Sequence, residues 1–234
     1  MTIAKKVVNY TFNRLTSLFC RINADQLALV PTEGPLIVVA NHVNFLEVPV
    51  LVTRLGSRSV TGFAKIETWD NPVLGYIFDL WEIIPIQRGE ADVGALREGL
   101  RALRAGKILA IAPEGTRSGH GRLQRGHPGV VLIALRSGAP LLPLAYYGGE
   151  EIWQNLSRLR RTNFNVLVGR PFYLSAEGVK VTQAVRQQMT DEIMWQLAAL
   201  LPAAYRGHYA NLSKATEDYL RFPPTSESNL LLAM

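Results

Sequence analysis

The chain has 234 residues, of which 48% are hydrophobic and 19% are charged, and its formal charge at pH 7 is +6. This length is enough for one α/β domain with a sizeable core, and the modest charged fraction excludes a disordered, collagen-like or coiled-coil chain. A single cysteine excludes an internal disulfide framework and a multi-cysteine zinc site, and it is compatible with a reducing intracellular compartment.

Residues 1–30 predict an N-terminal segment that is helical, amphipathic and cationic. Its apolar side chains recur at intervals of three and four residues, and basic side chains fall mostly between them. The apolar positions are Ile3, Val7, Val8, Phe12, Leu15, Leu18 and Phe19. Such a helix suits either the headgroup layer of a membrane or a packed position on the domain. The charge pattern favours the membrane.

From residue 35 onward, short β-branched runs alternate with helical patterns. Strands are predicted over residues 35–40, 60–64, 83–86, 107–112, 141–146 and 164–169. Helices are predicted between the first five of these strands and again over about residues 181–200. The alternation predicts a single α/β domain over residues 31–222, with a mixed, mostly parallel sheet that is covered by helices. Residues 223–234 contain prolines and small polar side chains, and they predict an irregular C-terminal tail.

No apolar stretch reaches the roughly 18 to 20 residues that a membrane-spanning helix needs. The N-terminal stretch also lacks the unbroken apolar core and the small-residue cleavage site of a signal peptide. The expected location is therefore cytoplasmic. The charge of +6 leaves three classes of partner open: nucleic acid, an acidic carrier protein or an anionic membrane surface.

Several familiar functional motifs are absent. The sequence has no Gly-x-Gly-x-x-Gly dinucleotide motif after a strand, no P-loop and no Gly-x-Ser-x-Gly nucleophile elbow. The four histidines lack metal-ligand spacing, so no metal is expected. Nucleic-acid binding has neither a motif nor interleaved base-stacking aromatic residues in its favour.

A candidate general base lies in the loop after the first strand of the domain. Pro49 favours a helix that begins near Glu47, which leaves His42 in the preceding loop. On one helix, side chains five residues apart differ by roughly 140° around the axis, but across a strand-to-helix loop they can meet. A carboxylate that holds one imidazole nitrogen leaves the other free to take a proton from a hydroxyl. The alternative is an incidental loop histidine beside a solvated glutamate.

Three predicted strands are followed by a cation, namely Lys65, Arg88 and Arg117. Arg117 belongs to the loop 113–121, which also offers glycines, hydroxyls and free backbone N–H groups, a setting suited to phosphate. Each cation alone is most simply an ordinary surface charge. Three of them at equivalent strand ends indicate an anion site.

These motifs resemble the glycerophospholipid acyltransferase family, whose best-known members are the 1-acylglycerol-3-phosphate (lysophosphatidic acid) acyltransferases. The family's first block, Asn-His-x4-Asp, is matched by residues 41–47 as an HX4E variant with Glu47 in place of the aspartate. The third block, Pro-Glu-Gly-Thr-Arg-Ser, is matched in full by residues 113–118. The second and fourth blocks resemble residues 84–88 and 139–144, and the order of blocks holds over about residues 35–172.

The resemblance implies an O-acyltransferase that moves a fatty acyl group from a thioester to the free hydroxyl of a lysophospholipid. The acceptor it implies is 1-acylglycerol-3-phosphate, which gives phosphatidic acid. His42 would be the general base and Glu47 its orienting acid. The co-substrate would be acyl-CoA or an acyl carrier protein thioester, with no further cofactor. The implied contacts to the glycerol-phosphate end are Lys65, Arg88, Glu114, Gly115, Thr116 and Arg117.

A second basic segment, residues 153–161, carries arginines beside Trp153. This composition suits a lipid surface or an acidic acyl carrier, and a solvated basic loop is the alternative. We expect peripheral attachment to the anionic inner face of the cell membrane through residues 1–21 and 153–161. The competing functional hypothesis is a non-catalytic lipid-binding relative in which Glu47 marks a degenerate site. The intact motif at residues 113–118 argues against it.

Overall fold

The computed structural model describes residues 2–56, 58–87 and 92–233. The strands are β1 (Cys20–Asn23), β2 (Leu36–Ala40), β3 (Val60–Lys65), β4 (Ile84–Ile86), β5 (Ile108–Ile111), β6 (Leu141–Tyr147), β7 (Thr162–Val168), β8 (Tyr173–Leu174) and β9 (Leu220–Arg221). The α-helices are α1 (Ile3–Phe19), α2 (Glu47–Arg54), α3 (Pro72–Leu80), α4 (Val93–Arg104), α5 (Gly129–Ser137), α6 (Ile152–Ser157) and α7 (Gln183–Leu200). The prediction of an α/β fold is confirmed.

Strands β1 to β7 form one sheet in the order β1-β7-β6-β2-β5-β3-β4. Strand β2 runs parallel to β5 and β6, and β3 runs parallel to β5 and β4. The carboxyl ends of β2 to β6 therefore lie at one edge of the sheet, which we call the carboxyl edge. Strand β7 is antiparallel to β6. In sheets of this kind, ligands bind where the parallel strands end.

The sheet is covered on both faces, which explains why β2 is apolar at every position. Ile37 and Val39 belong to a core that includes residues of α4, α5 and α7. Val38 and Ala40 belong to a second core with residues of α1, α2 and α3. A strand that is buried on both sides shows a continuous apolar run instead of alternation.

The N-terminal segment contains a strand that its pattern did not predict. Helix α1 ends at Phe19, and Cys20–Asn23 then pairs with β7 at the edge of the main sheet. Cys20 is buried while Arg21 and Asn23 are exposed. The strand is only four residues long, and the two side chains on its open face are polar. A period-two alternation therefore does not stand out in the sequence. The N-terminal segment thus contributes one strand to the main sheet.

Helix α1 is anchored through a mostly polar face. Trp81 is 1% exposed, its ring centroid lies 5.1 Å from that of Phe12, and its indole N–H donates to the side-chain oxygen of Asn9 at 2.8 Å. Lys5 forms an ion pair with Glu82 at 3.1 Å. In the described part of the chain, none of the helices combines the length and the apolar character that crossing a membrane requires.

The C-terminal tail is held against α7. Residues 229–233 form a short 3₁₀ helix, and the Asn229 side chain is buried. Both the backbone N–H and the side-chain amide of Asn229 donate to Gln196 Oε1, at 2.8 and 3.0 Å. The tail therefore completes the core on the α7 face.

Candidate active site

His42 and Glu47 meet in the loop that connects β2 to α2. His42 Nδ1 lies 3.0 Å from Glu47 Oε2. Glu47 is the first residue of α2, and its side chain is buried, whereas the imidazole of His42 is partly exposed. An N–H at Nδ1 that donates to the carboxylate leaves Nε2 unprotonated. Nε2 can then accept a proton.

Backbone donors fix the orientation of the Glu47 carboxylate. The N–H of Asn44 donates to Oε1 at 3.0 Å, and the N–H of Val43 donates to the same oxygen at 3.3 Å. The loop backbone therefore holds this carboxylate at the start of the helix within hydrogen-bond distance of the imidazole. The contact is made although Glu47 has one methylene group more than an aspartate.

Two asparagines tie the loop to β6 and to the turn that follows this strand. The side chain of Asn41 makes two hydrogen bonds with the backbone of Tyr146, donating to its carbonyl at 2.8 Å and accepting from its N–H at 2.7 Å. The Asn44 side-chain amide donates to the carbonyl of Gly149 at 2.7 Å. The position of the His42 loop is therefore set from the β6 side of the sheet.

Glu114 supports the same loop from the β5 side. It is 2% exposed, and one oxygen accepts from the backbone N–H of His42 at 2.9 Å while the other accepts from the N–H of Gln124 at 2.9 Å. Burial raises the pKa of Glu114, against the lowering effect of these two hydrogen bonds. The carboxylate points inward, so the geometry favours a positioning role over the direct substrate contact that the resemblance implied.

Gly115, Thr116 and Arg117 are exposed beside His42. The next residue, Ser118, donates its N–H to the carbonyl of His42 at 2.8 Å, which places the two loops side by side. Gly115 has φ +69°, and a Cβ there would lie 3.2 Å from the His127 ring, so a side chain at this position would be strained and crowded.

Of the three predicted cations, the structure describes Lys65 and Arg117. Lys65 is exposed at the carboxyl end of β3, the neighbour of β5, and so reaches the same edge as the loop of Arg117. Arg88 lies outside the described residues. The described ranges contain no cluster of three His, Cys, Asp or Glu side chains able to hold a metal ion.

A further support of the site was not predicted from the sequence. The backbone of Leu123 donates to the carbonyl of Tyr205 and accepts from the N–H of His208, each at 2.9 Å. The Tyr209 hydroxyl accepts from the N–H of Gly126 at 3.1 Å. These contacts join the loop after Arg117 to a segment more than 80 residues later. No local motif marks such a pair of segments in the sequence.

With this geometry in view, the comparison with known families is direct. A model of the acyltransferase family matches residues 21–147, which is more than half of the chain and includes both loops of the site. The chain belongs to the acyltransferase family. The resemblance that the motifs indicated is thereby confirmed at the level of the family.

Individual relatives agree with this assignment. A chloroplastic 1-acyl-sn-glycerol-3-phosphate acyltransferase of Arabidopsis thaliana is 28% identical over 171 residues, which cover 71% of this chain and 48% of the relative. A 1-acyl-sn-glycerol-3-phosphate acyltransferase of Bacillus subtilis is 24% identical over 148 residues, or 62% of this chain and 70% of that protein. A lyso-ornithine lipid O-acyltransferase of Pseudomonas aeruginosa is 27% identical over 142 residues, 54% of each chain. The chain spans a little under half the length of the plant relatives it matches.

Among solved structures, the chain is similar to the 1-acyl-sn-glycerophosphate acyltransferase PlsC of Thermotoga maritima. The TM-score is 0.61 at 22% sequence identity, and the superposition covers 81% of this chain and 76% of that one. This likeness shows a shared fold.

Proposed function

We propose that this acyltransferase transfers a fatty acyl group from a thioester to the free hydroxyl of a lysophospholipid. The acceptor we favour is 1-acylglycerol-3-phosphate, the acceptor after which the plant and Bacillus relatives are named, with phosphatidic acid as the product. The observation that carries the proposal is the 3.0 Å contact between His42 and Glu47 beside the exposed Gly115-Thr116-Arg117 segment.

In the proposed reaction, His42 acts as general base. Its Nε2 takes the proton of the acceptor hydroxyl while the oxygen attacks the thioester carbonyl. A carbon–oxygen bond forms, the carbon–sulfur bond breaks, and the imidazolium returns the proton to the departing sulfur. Glu47 stabilises the imidazolium and holds the ring through Nδ1. The acyl group passes directly between the substrates, so no covalent acyl-enzyme is needed.

We propose that the phosphate of the acceptor binds at the carboxyl edge. Lys65 and Arg117 supply positive charge there, the Gly115-Thr116 segment supplies N–H and hydroxyl donors, and Arg88 remains a predicted contact. Glu114 contributes indirectly, through the backbone of His42. Acyl-CoA and an acyl carrier protein thioester both remain candidate donors, and the proposal needs no further cofactor.

The alternative, a non-catalytic lipid-binding relative, assumes that Glu47 has lost its function. The buried Glu47 carboxylate instead contacts the imidazole and accepts two backbone hydrogen bonds. The carboxylate thus keeps the contact to His42 that the proposed reaction requires. The geometry therefore favours the enzyme.

We also propose peripheral attachment to an anionic membrane through residues 1–21 and 153–161, at the inner face of the cell membrane. Of the predicted apolar positions on α1, Val8 and Phe12 pack against the domain. The other five are exposed: Ile3, Val7, Leu15, Leu18 and Phe19. Lys6 and Arg14 lie on the same outer face. An outer face that is both apolar and cationic is typical of interfacial helices.

The decisive experiment is an acyl-transfer assay on the purified chain with acceptors in anionic vesicles. The acceptors are 1-acylglycerol-3-phosphate, glycerol 3-phosphate and a lyso-ornithine lipid, each offered with an acyl-CoA and an acyl carrier protein thioester. We expect phosphatidic acid from the first acceptor, and none from His42→Ala. Vesicle binding without acylation of any acceptor would support the non-catalytic alternative.

A further inference from the structure

An exposed apolar rim includes one side chain of the His42 loop. It consists of Phe45, Trp153, Leu156 and Leu159, and we call it the aromatic rim. Phe45 is 42% exposed, Trp153 is 64% exposed, and their ring centroids lie 5.5 Å apart. Phe45 belongs to the loop between His42 and Glu47, whereas Trp153 belongs to α6. The two rings therefore join the catalytic loop to a separate surface element.

Leu159 is the most exposed part of this rim. It is 95% exposed and has φ +53°, a backbone conformation that is unfavourable for a leucine. The turn is held by hydrogen bonds from its N–H to Leu156 and from Arg160 to Asn155. Arg158 and Arg160 on either side are exposed as well. An apolar side chain presented between two cations suits the interfacial layer of an anionic membrane.

The connection from the rim to the catalytic groups is short and well bonded. Asn44 donates its side-chain amide to the carbonyl of Gly149, where the chain turns into α6. Its backbone N–H donates to Glu47, and its Oδ1 accepts from the N–H of Leu46. These hydrogen bonds connect the start of α6 to the residues that orient the Glu47 carboxylate.

The residue two positions after Leu159 is bonded to the C-terminal end of α1. The Arg161 guanidinium donates to the carbonyls of Ser17 and Cys20, at 2.6 and 2.7 Å, at the end of that helix. The exposed side chains of Leu18 and Phe19 lie in the same stretch. The connection to α1 and the arginines on either side of Leu159 indicate that the rim binds an anionic bilayer.

We infer that contact of the aromatic rim with an anionic membrane sets the geometry of the His42 loop through Phe45, so that turnover is activated at the membrane surface. This inference rests on the proposed function and adds a regulation to it. Phe45 acts as a positioning residue and Trp153 as the membrane contact that moves it. The membrane stabilises the catalytically competent conformation of the loop, because it binds that conformation better than the conformation that predominates in solution.

The first test measures the loop without acyl transfer. Amide hydrogen exchange of residues 42–47 is followed on the full chain, with and without anionic vesicles that contain no acceptor. We expect exchange to slow when wild type binds vesicles, and to change little in Phe45→Ala at vesicle concentrations where it is fully bound. Phe45→Trp should restore the slowing. Unchanged exchange in vesicle-bound wild type would overturn the inference, whatever the enzyme activity.

The second test measures turnover of a short-chain, monomeric 1-acylglycerol-3-phosphate. Acceptor-free anionic vesicles should stimulate wild type by about tenfold, as for a loop whose working conformation is about one-tenth populated in solution. The stimulation should be lost in Trp153→Ala and Phe45→Ala. It should persist in Tyr173→Ala, a control with another exposed aromatic side chain, placed in β8.

The two tests separate the two proposals. If vesicles slow the exchange of residues 42–47 but neither wild type nor any variant acylates any acceptor, the effect of the membrane on the loop stands and the proposed enzyme activity fails. If wild type acylates the monomeric acceptor equally well with and without vesicles, the activity stands and the coupling fails.

Discussion

His42 is held by two carboxylates, one on its ring and one on its backbone. Glu47 accepts from the imidazole, and Glu114 accepts from the amide N–H of the same residue. In the proposed reaction, the first contact holds the ring in the tautomer that leaves Nε2 free. The second fixes the position of the loop. Substitutions of the two carboxylates should therefore have different effects.

Replacement of Glu47 by Gln should lower kcat by about two to four orders of magnitude, because an amide neither stabilises an imidazolium nor enforces the required tautomer. Glu47→Asp keeps the charge, and we expect it to stay within about tenfold of wild type. The measurement is steady-state acyl transfer by purified variants. Glu227→Gln, at an exposed carboxylate that pairs with Arg170, is the control and should leave kcat unchanged. Wild-type kcat in Glu47→Gln would contradict the assignment of Glu47.

Glu114 gives the stability a pH dependence of definite sign. Burial raises the pKa of its carboxyl group above the ordinary value of 4.5, so the folded protein binds that proton more tightly than the unfolded chain. The stability that this proton contributes is fully present below pH 4.5 and is lost as pH rises through the raised pKa. Glu114→Gln has no such proton to lose, so its free energy of unfolding should not show this decline.

The check is urea unfolding of both proteins between about pH 4 and pH 8. The difference in unfolding free energy, wild type minus variant, should fall with rising pH. A difference that is independent of pH would mean that Glu114 titrates alike in the folded and unfolded chains.

At the scale of elements, strong patterns predicted well and weak ones did not. The continuous apolar run of β2 and the Pro49 signal placed the strand and the start of α2, and with them the meeting of His42 and Glu47. Strand β1 was missed because its four residues lack a detectable period. The inward orientation of Glu114 could not be predicted from the sequence either. It depends on a hydrogen bond from the N–H of Gln124, which is brought to Glu114 by the packing of the loop.

Helix α1 shows a further limit of pattern reading. The usual expectation is that the apolar stripe of an amphipathic helix faces the core. Here Asn9 and the buried Thr16 lie on the packed side, while Val7 and Leu18 face outward. A periodic pattern shows that a helix has two faces. Which face packs on the domain depends on tertiary partners such as Trp81.

Two tryptophans provide a matched test of how α1 is anchored. Trp81→Ala should lower the free energy of unfolding by about 3–5 kcal/mol, because it removes a buried ring together with its packing on Phe12 and its bond to Asn9. Trp153→Ala removes an exposed ring and should cost less than about 1 kcal/mol. Chemical denaturation measures both values. Equal costs at the two positions would refute the anchoring role of Trp81.

At the scale of the whole molecule, the two faces of the sheet are completed differently. On the α7 side, the C-terminal chain closes the core, and the buried Glu192 accepts hydrogen bonds from Thr216, Asp218 and Tyr219. On the other side, α1 and α3 leave apolar side chains uncovered. Those of α3 are Val73, Leu74 and Tyr76. The exposed apolar side chains of α1 and α3 lie on one face of the sheet, which supports the proposed membrane-facing side there.

Negative charges introduced on that side should weaken membrane binding selectively. Val7→Asp combined with Leu18→Asp places two carboxylates on the outer face of α1, where apolar burial and attraction to anionic lipid would both be lost. We expect partitioning to anionic vesicles, measured by sedimentation, to fall by at least about tenfold. The unfolding free energy should change by less than about 1 kcal/mol, because both side chains are exposed.

Val93→Asp, compared with Val7→Asp alone, is the control matched in residue type and charge. Val93 is an exposed valine at the start of α4, a helix that packs on the opposite face of the sheet. It should bind vesicles almost as wild type does. Binding of wild type should also weaken as salt is raised, since Lys6, Arg14 and the arginines beside Leu159 attract the anionic surface through a screened interaction. Equal loss of binding in both variants would point to net charge alone, and the α1 face would then have no special part in attachment.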